Sequence, residues 1–313
     1  MERVVIALGG NAILKPTEEG SFSKQERDIA DSAKEIAQFL KSSNAKVLIT
    51  HGNGPQVGYE LLKNETEEGK KLMRLPLFAV TAETQATIGA LLEQALHTEL
   101  TKRGIKREIA VVVTNTIVDP QSPSFKNPTK PIGSFFTAKE LKDELKIEKF
   151  SFVKEKGRYR RVVASPEPKE IVETGTIKRL FENNTIVIGV GGGGIPVVRR
   201  GTKLTGINAV IDKDLASALI ADRIDADRLI ILTDIDYVYS DYKDKSGAIK
   251  EASAKEMKKR IGEFEEGTMK PKVEACVRFV ETGKGREAFI GNLTKLKRII
   301  NGTSGTRIFD RPK

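Results

Sequence analysis

Val47-Leu48-Ile49-Thr50-His51-Gly52-Asn53-Gly54-Pro55-Gln56-Val57-Gly58 reads as a buried strand, a glycine turn and a helix start. Glycines at 52, 54 and 58 let the backbone bend sharply and bring bare N–H groups close to a ligand. Pro55 sits where a helix begins, because its missing N–H is no loss in the first turn. Free amides at the positive end of a helix dipole form an anion site. The same scheme appears at the N-terminus, where the apolar run Arg3–Leu8 ends in Gly9-Gly10-Asn11. A third glycine turn, Gly191-Gly192-Gly193-Gly194, follows the apolar run Thr185–Val190.

Working outward, strand-like and helix-like stretches alternate. Ile29, Ala33, Ile36, Ala37 and Leu40 repeat at helical spacing. A long helical pattern runs from about Pro76 to Arg103 and stops at Gly104. The β-branched stretch Ile109–Val118 predicts one further strand. After residue 168 the pattern predicts a helix near Lys169–Glu182, strand Thr185–Val190, helix Asp212–Arg223 and strand Arg228–Thr233. A helix at about Lys270–Thr282, strand Glu287–Ile290, a short helix and a strand at Thr306–Phe309 complete the chain. This alternation predicts an α/β fold with a parallel sheet covered on both faces. Residues 119–168 break the rhythm with six prolines and much Lys and Arg. A connection that long predicts an inserted flap subdomain over the substrate site.

Composition narrows the function. Only one cysteine is present among 313 residues, which excludes an intrachain disulfide framework and fits a reducing, cytoplasmic setting. No apolar run reaches the roughly 18 residues a membrane span needs, so no membrane partner is expected. The net charge of +10 is spread along the chain without a nucleic-acid signature, which favours anionic small substrates over nucleic acid.

The familiar phosphate motifs are absent. Gly189, Gly191 and Gly194 have dinucleotide-fingerprint spacing, but Ile195-Pro196-Val197-Val198 reads as extended, whereas that fingerprint needs a helix start. No G-x-x-x-x-G-K-[ST] occurs. His97 lies on the long helix as a structural residue, and His51 reads as a backbone-fixing group rather than a general base. There is no metal-ligand cluster and no nucleophile–His–acid set. Lysines stand out instead. Asp212 reads as an N-cap, with Lys213 in the first turn, where a cation opposes the helix dipole and implies a nearby anion. Asp214 beside it is placed to orient the ammonium. Lys272, behind Pro271, begins the last major helix. Lys130 stands between Pro128 and Pro131, either held over a site or part of a rigid loop. Leu232-Thr233-Asp234 ends a strand in polar groups suited to a nucleotide. Such a set matches phosphoryl transfer, whose transition state needs alignment and neutralised oxygens rather than a covalent catalyst.

Six segments together closely resemble carbamate kinase, of the amino acid kinase fold. They are Ala7–Ala12, His51–Gly58, Lys130-Pro131-Ile132-Gly133, Gly191–Pro196, Ala209–Ala216, and Glu263-Phe264 through Gly267–Ala275. The resemblance covers nearly the whole chain in order. It implies an open αβα sandwich with a mainly parallel central sheet, a single amino acid kinase domain over 1–313 with a protruding subdomain, and a homodimer. It implies reversible transfer between ATP plus carbamate and ADP plus carbamoyl phosphate, with Mg²⁺. By position, Gly9, Gly10, Asn11, Gly52 and Asn53 would hold the carbamoyl phosphate end. Lys130, Lys213 and Lys272 would neutralise the moving group, with Asp214 orienting them. Gly192, Gly193, Thr233, Asp234, Tyr242, Met269 and Pro271 would lie near the nucleotide. Thr81–Ala86 and Asn208 depart from the family pattern, at positions that bear on subunit contacts or flap packing.

Overall fold

A computed structural model describes residues 1–14, 21–65, 73–141, 151–155, 157–241, 246–265 and 267–310. The first part of the chain forms β1 (Arg3–Leu8), α1 (Phe22–Ser42), β2 (Lys46–His51), α2 (Gly54–Glu65), α3 (Leu77–Lys102), β3 (Ile109–Val112) and β4 (Asn115–Val118). A middle stretch adds β5 (Lys130–Phe136), β6 (Ser151–Glu155), β7 (Arg158–Val163) and β8 (Pro168–Ile171). Then follow α4 (Thr174–Glu182), β9 (Ile186–Gly189), β10 (Ile195–Arg200), β11 (Lys203–Gly206), α5 (Lys213–Arg223) and β12 (Arg228–Thr233). The last part holds β13 (Val238–Asp241), β14 (Ser246–Ile249), β15 (Glu251–Ser253), α6 (Ala254–Arg260), α7 (Lys270–Glu281), β16 (Glu287–Asn292), α8 (Leu296–Ile300) and β17 (Thr306–Phe309).

Strand β1 shows why the sheet lies in the middle of the molecule. Successive side chains point to opposite faces, and both faces here are apolar. Val4, Ile6 and Leu8 join a core with α1, α3 and α8, while Val5 and Ala7 join a second core with α5 and α7. The central sheet runs β15-β17-β16-β12-β1-β2-β9-β3. Its strands pair in parallel except at β16 and β17, which are antiparallel. Helices on both faces make an αβα sandwich, as the alternating pattern predicts. Among the described residues no helix is long and apolar enough to cross a membrane.

Two stretches differ from the sequence reading. Ile109–Val118 is not one strand: β3 ends the central sheet, whereas β4 belongs to a second sheet ordered β11-β10-β4-β8. The break falls at Thr114, whose N–H and hydroxyl both donate to Gln85 Oε1 of α3, at 2.6 and 2.8 Å. That side-chain bond takes the amide out of the ladder. The helix expected near Lys169–Glu182 begins only at Thr174, because Pro168–Ile171 forms β8 against β4. Pro168 and Ile171 are buried and Lys169 and Glu170 exposed, so four residues cannot distinguish a strand from a helical turn. Within the stretch expected as a flap, β5, β7 and β6 form a three-stranded antiparallel sheet of their own.

Candidate active site

The glycine turns meet at the carboxyl ends of the parallel strands, where open α/β sheets bind ligands. Gly9 donates its N–H to Leu232 O at 2.9 Å, and Gly52 to Leu8 O at 3.1 Å. A Cβ on Gly9 would lie 2.8 Å from Leu232 O, and one on Gly52 would lie 3.3 Å from Gly10 N. The turns are therefore stacked backbone to backbone. At Gly10 a Cβ would meet no protein atom within 4 Å. Gly10→Ala should accordingly fold with an unchanged Tm, because the methyl projects into the open cleft, and should raise the KM of a substrate that rests on this turn about tenfold. Steady-state kinetics beside a thermal melt checks this, and an unaltered KM would reject it.

The third turn packs behind the second. Val190 precedes it in the left-handed region (φ 55°), which is costly for a β-branched residue. Its N–H is held by Thr114 Oγ1 at 3.0 Å. A Cβ on Gly191 would lie 2.4 Å from His51 Nε2, and one on Gly192 would lie 2.3 Å from Asn53 Nδ2. Gly192 and Gly193 are thus buried supports of the substrate-side turn and do not line the main cleft. Asn53 donates to Thr84 Oγ1 at 3.0 Å. Thr84 and Gln85, within the segment Thr81–Ala86, thus brace these turns through Asn53 and Thr114.

His51 is 1% exposed. Its Nδ1 lies 3.1 Å from Gly52 O, as expected of an N–H donating to that carbonyl. Burial, aided by Lys213, pushes its pKa down to about 4. Between pH 6.5 and 4 an unfolded chain takes up a proton here that the folded one refuses. Stability should therefore fall as the pH drops through that window, by ~3 kcal/mol in all. Urea denaturation at several pH values should show the slope, and His51→Gln should flatten it. An equal slope in that variant would remove His51 as the cause.

The charged centre joins three separate parts of the chain. Lys272 Nζ donates to Asp214 Oδ2 at 2.9 Å, and Lys213 Nζ lies 2.6 Å from Asp214 Oδ1. Lys130 Nζ, from β5, donates to Asp212 Oδ2 at 2.7 Å. Asp212 also caps α5, its Oδ1 accepting from the N–H of Asp214 and of Leu215 at 2.9 and 3.2 Å. Asp214 is 4% exposed. Burial alone would raise its pKa, yet Lys213 and Lys272 hold it well below the usual carboxylate range. Burial pulls Lys213 down against the attraction of Asp214, with Lys272 adding repulsion. At Lys272 burial is more than offset by Asp214, and its pKa is raised. The Lys213–Asp214 pair is close but not aligned as a hydrogen bond. Lys213 Nζ is shut off from solvent with no aligned acceptor among the described residues. In this centre three ammonium groups face two carboxylates.

A cleft of about 760 Å³ opens onto this centre. Gly9, Gly10, Lys130, Thr233, Asp234, Met269 and Lys272 line it, so seven of the expected residues converge there. Gly52 and Asn53 sit one layer behind, with Lys213 and Asp214 beneath Lys272. Pro271 fixes the first turn of α7 without lining the cleft. Asn11 lies in the short 3₁₀ turn Gly10–Ala12, and Tyr242 falls outside the described residues. Sequence reasoning missed two contributors. Arg160 lines the cleft and donates from Nε to Gly133 O at 3.1 Å. The other is the pairing of Asp212 with Lys130, for which the sequence around Asp212 carries no signal.

The comparisons with known proteins agree with this geometry. A family model described as "Amino acid kinase family" matches residues 2–292. The chain is 41% identical to the carbamate kinase of Pyrococcus horikoshii and 43% identical to that of Clostridium perfringens, each match covering 98% of this chain and 99% of the relative. The solved carbamate kinase from Giardia lamblia bound to AMP-PNP shares 38% identity, with a TM-score of 0.89 and 99% coverage of both chains. The chain belongs to the amino acid kinase family and, within it, to the carbamate kinases, which makes it a phosphotransferase.

Proposed function

We propose that the enzyme transfers a phosphoryl group reversibly between ATP plus carbamate and ADP plus carbamoyl phosphate. The observation that carries this reading is the lysine centre. Lys130 and Lys272 line one cleft that Gly10 also lines, with Lys213 behind them, and Asp212 and Asp214 hold the three ammonium groups in place. A carbamate oxygen attacks the γ-phosphorus, the bond to ADP breaks, and no covalent enzyme intermediate forms. The attacking oxygen is already anionic, so the reaction needs no general base. A neutral, enclosed His51 and the lack of a nucleophile–base pair are consistent with that. Catalysis then rests on alignment and on charge placed where the equatorial oxygens develop negative charge.

The turns at Gly9–Asn11 and Gly52–Asn53 are assigned the carbamoyl phosphate end. Thr233, Asp234 and Met269 are assigned the nucleotide, whose analogue AMP-PNP the Giardia lamblia relative binds. Mg²⁺ at a phosphoryl-transfer site is bound by substrate phosphates, water and one or two carboxylates. Asp234 at the cleft wall is the residue placed to help hold it. When bound, Mg²⁺ supplies further neutralisation of phosphate charge. The same reading includes a cytoplasmic homodimer and residues 119–168 as a flap over the substrate. A coupled assay of ATP formation from ADP and carbamoyl phosphate tests the function. No ATP from that donor, with turnover of another acyl phosphate, would overturn it.

A further inference from the structure

We propose that Asp212 is a positioning residue that sets Lys130 in the cleft and latches β5 to the start of α5, an inference that rests on the assigned role of Lys130. Helix capping does not explain why the residue is an aspartate. Both capped amides use Oδ1, and Asn or Ser would serve as well. What needs the second oxygen and the charge is Lys130, 82 positions away in sequence, donating to Oδ2 at 2.7 Å. The pair is largely withdrawn from water, with side-chain exposures of 24% for Lys130 and 11% for Asp212. A charge pair there is directional, unlike a solvated surface pair.

The surrounding packing shows that β5 is docked rather than loosely apposed. Ile132 shares an apolar cluster with Val57, Leu61 and Val210, and Val210 stands two residues before Asp212. Gly133 lies so close to Gly58 that a Cβ on Gly58 would come within 2.4 Å of Gly133 Cα. Apolar contact and backbone fit place the strand, and Asp212 fixes its cationic end. Without that carboxylate, Lys130 has lost its anchor and the centre holds one more uncompensated positive charge. The ammonium then samples positions away from the line of transfer, and misplacement by about 1 Å can cost about 100-fold in rate.

The test is a double-mutant cycle in the full-length enzyme, read in the direction of ATP formation with a thermal melt on each variant. Asp212→Asn keeps the cap and removes the charge. It should lower kcat about 100-fold, leave the KM for ADP within about twofold, and hold Tm within a few degrees. In a Lys130→Ala background the same change should alter kcat by less than about threefold, because the group it positions is gone. Asp212→Ala should lower kcat as far as Asp212→Asn but also lower Tm. Equal losses in both backgrounds, or wild-type kcat in Asp212→Asn while Lys130→Ala is slow, would overturn the inference. Wild-type kcat in Lys130→Ala would instead overturn the assigned role of Lys130.

Discussion

Replacing Lys272 with alanine should lower kcat about 10³-fold while leaving the affinity for ADP within about threefold. The side chain stands at the cleft wall, in the first turn of α7, with its charge fixed by Asp214. In the proposed mechanism its work is to meet charge that develops only as the phosphoryl group moves. A group of that kind affects turnover far more than ground-state binding. The magnitude follows from the cost of deleting one preorganised cation or hydrogen-bond donor in a water-poor site. Lys213→Ala should behave similarly, since its ammonium shares the Asp214 carboxylate with Lys272 and sets the charge of the same centre. Steady-state kinetics with nucleotide binding by calorimetry checks both. Near-wild-type turnover in the two variants would remove the lysines from the mechanism.

Asp214→Ala is expected to strike both stability and rate. The carboxylate is 4% exposed and splits its oxygens between Lys213 and Lys272. Its removal leaves two neighbouring cations facing each other with no paired carboxylate, Asp212 being engaged by Lys130. Breaking a buried pair in this way costs about 3–5 kcal/mol, which chemical denaturation should show as an earlier midpoint. In the wild-type protein the folded carboxyl titrates below its unfolded value. Its contribution is therefore complete above about pH 4 and is lost as the pH falls further. Turnover should fall at least as far as in Lys272→Ala, because both lysines lose their orientation together. A variant of unchanged midpoint would show that the three groups do not form an energetic unit.

Much of this could be read in the sequence because several signals were local. A strand, a glycine turn and a helix start can be read within twelve residues without knowledge of the rest of the chain, and β2 and α2 fall there. Asp214, expected from its position beside Lys213 to orient that ammonium, lies 2.6 Å from it. What stayed hidden depended on partners distant in sequence. Ile109–Val118 is β-branched throughout, and nothing in it says that Gln85 will capture Thr114 and divide it between two sheets. Lys169 and Glu170 have good helical propensity, but pairing with β4 decided their structure. The two oxygens of Asp212 have separate partners, and only the nearer one, the helix it caps, is written in its neighbourhood.

The contact between Gly58 and Gly133 has a mechanical consequence. Two backbones meet there with no side chain between them, and α2, which carries Gly58, starts one residue after Asn53. The strand bearing Lys130 and the turn bearing Asn53 are thus geared through a single short helix. The spacing between the Lys130 strand and the Asn53 turn is therefore set by direct backbone contact, with no side chain whose rotamer could relax it.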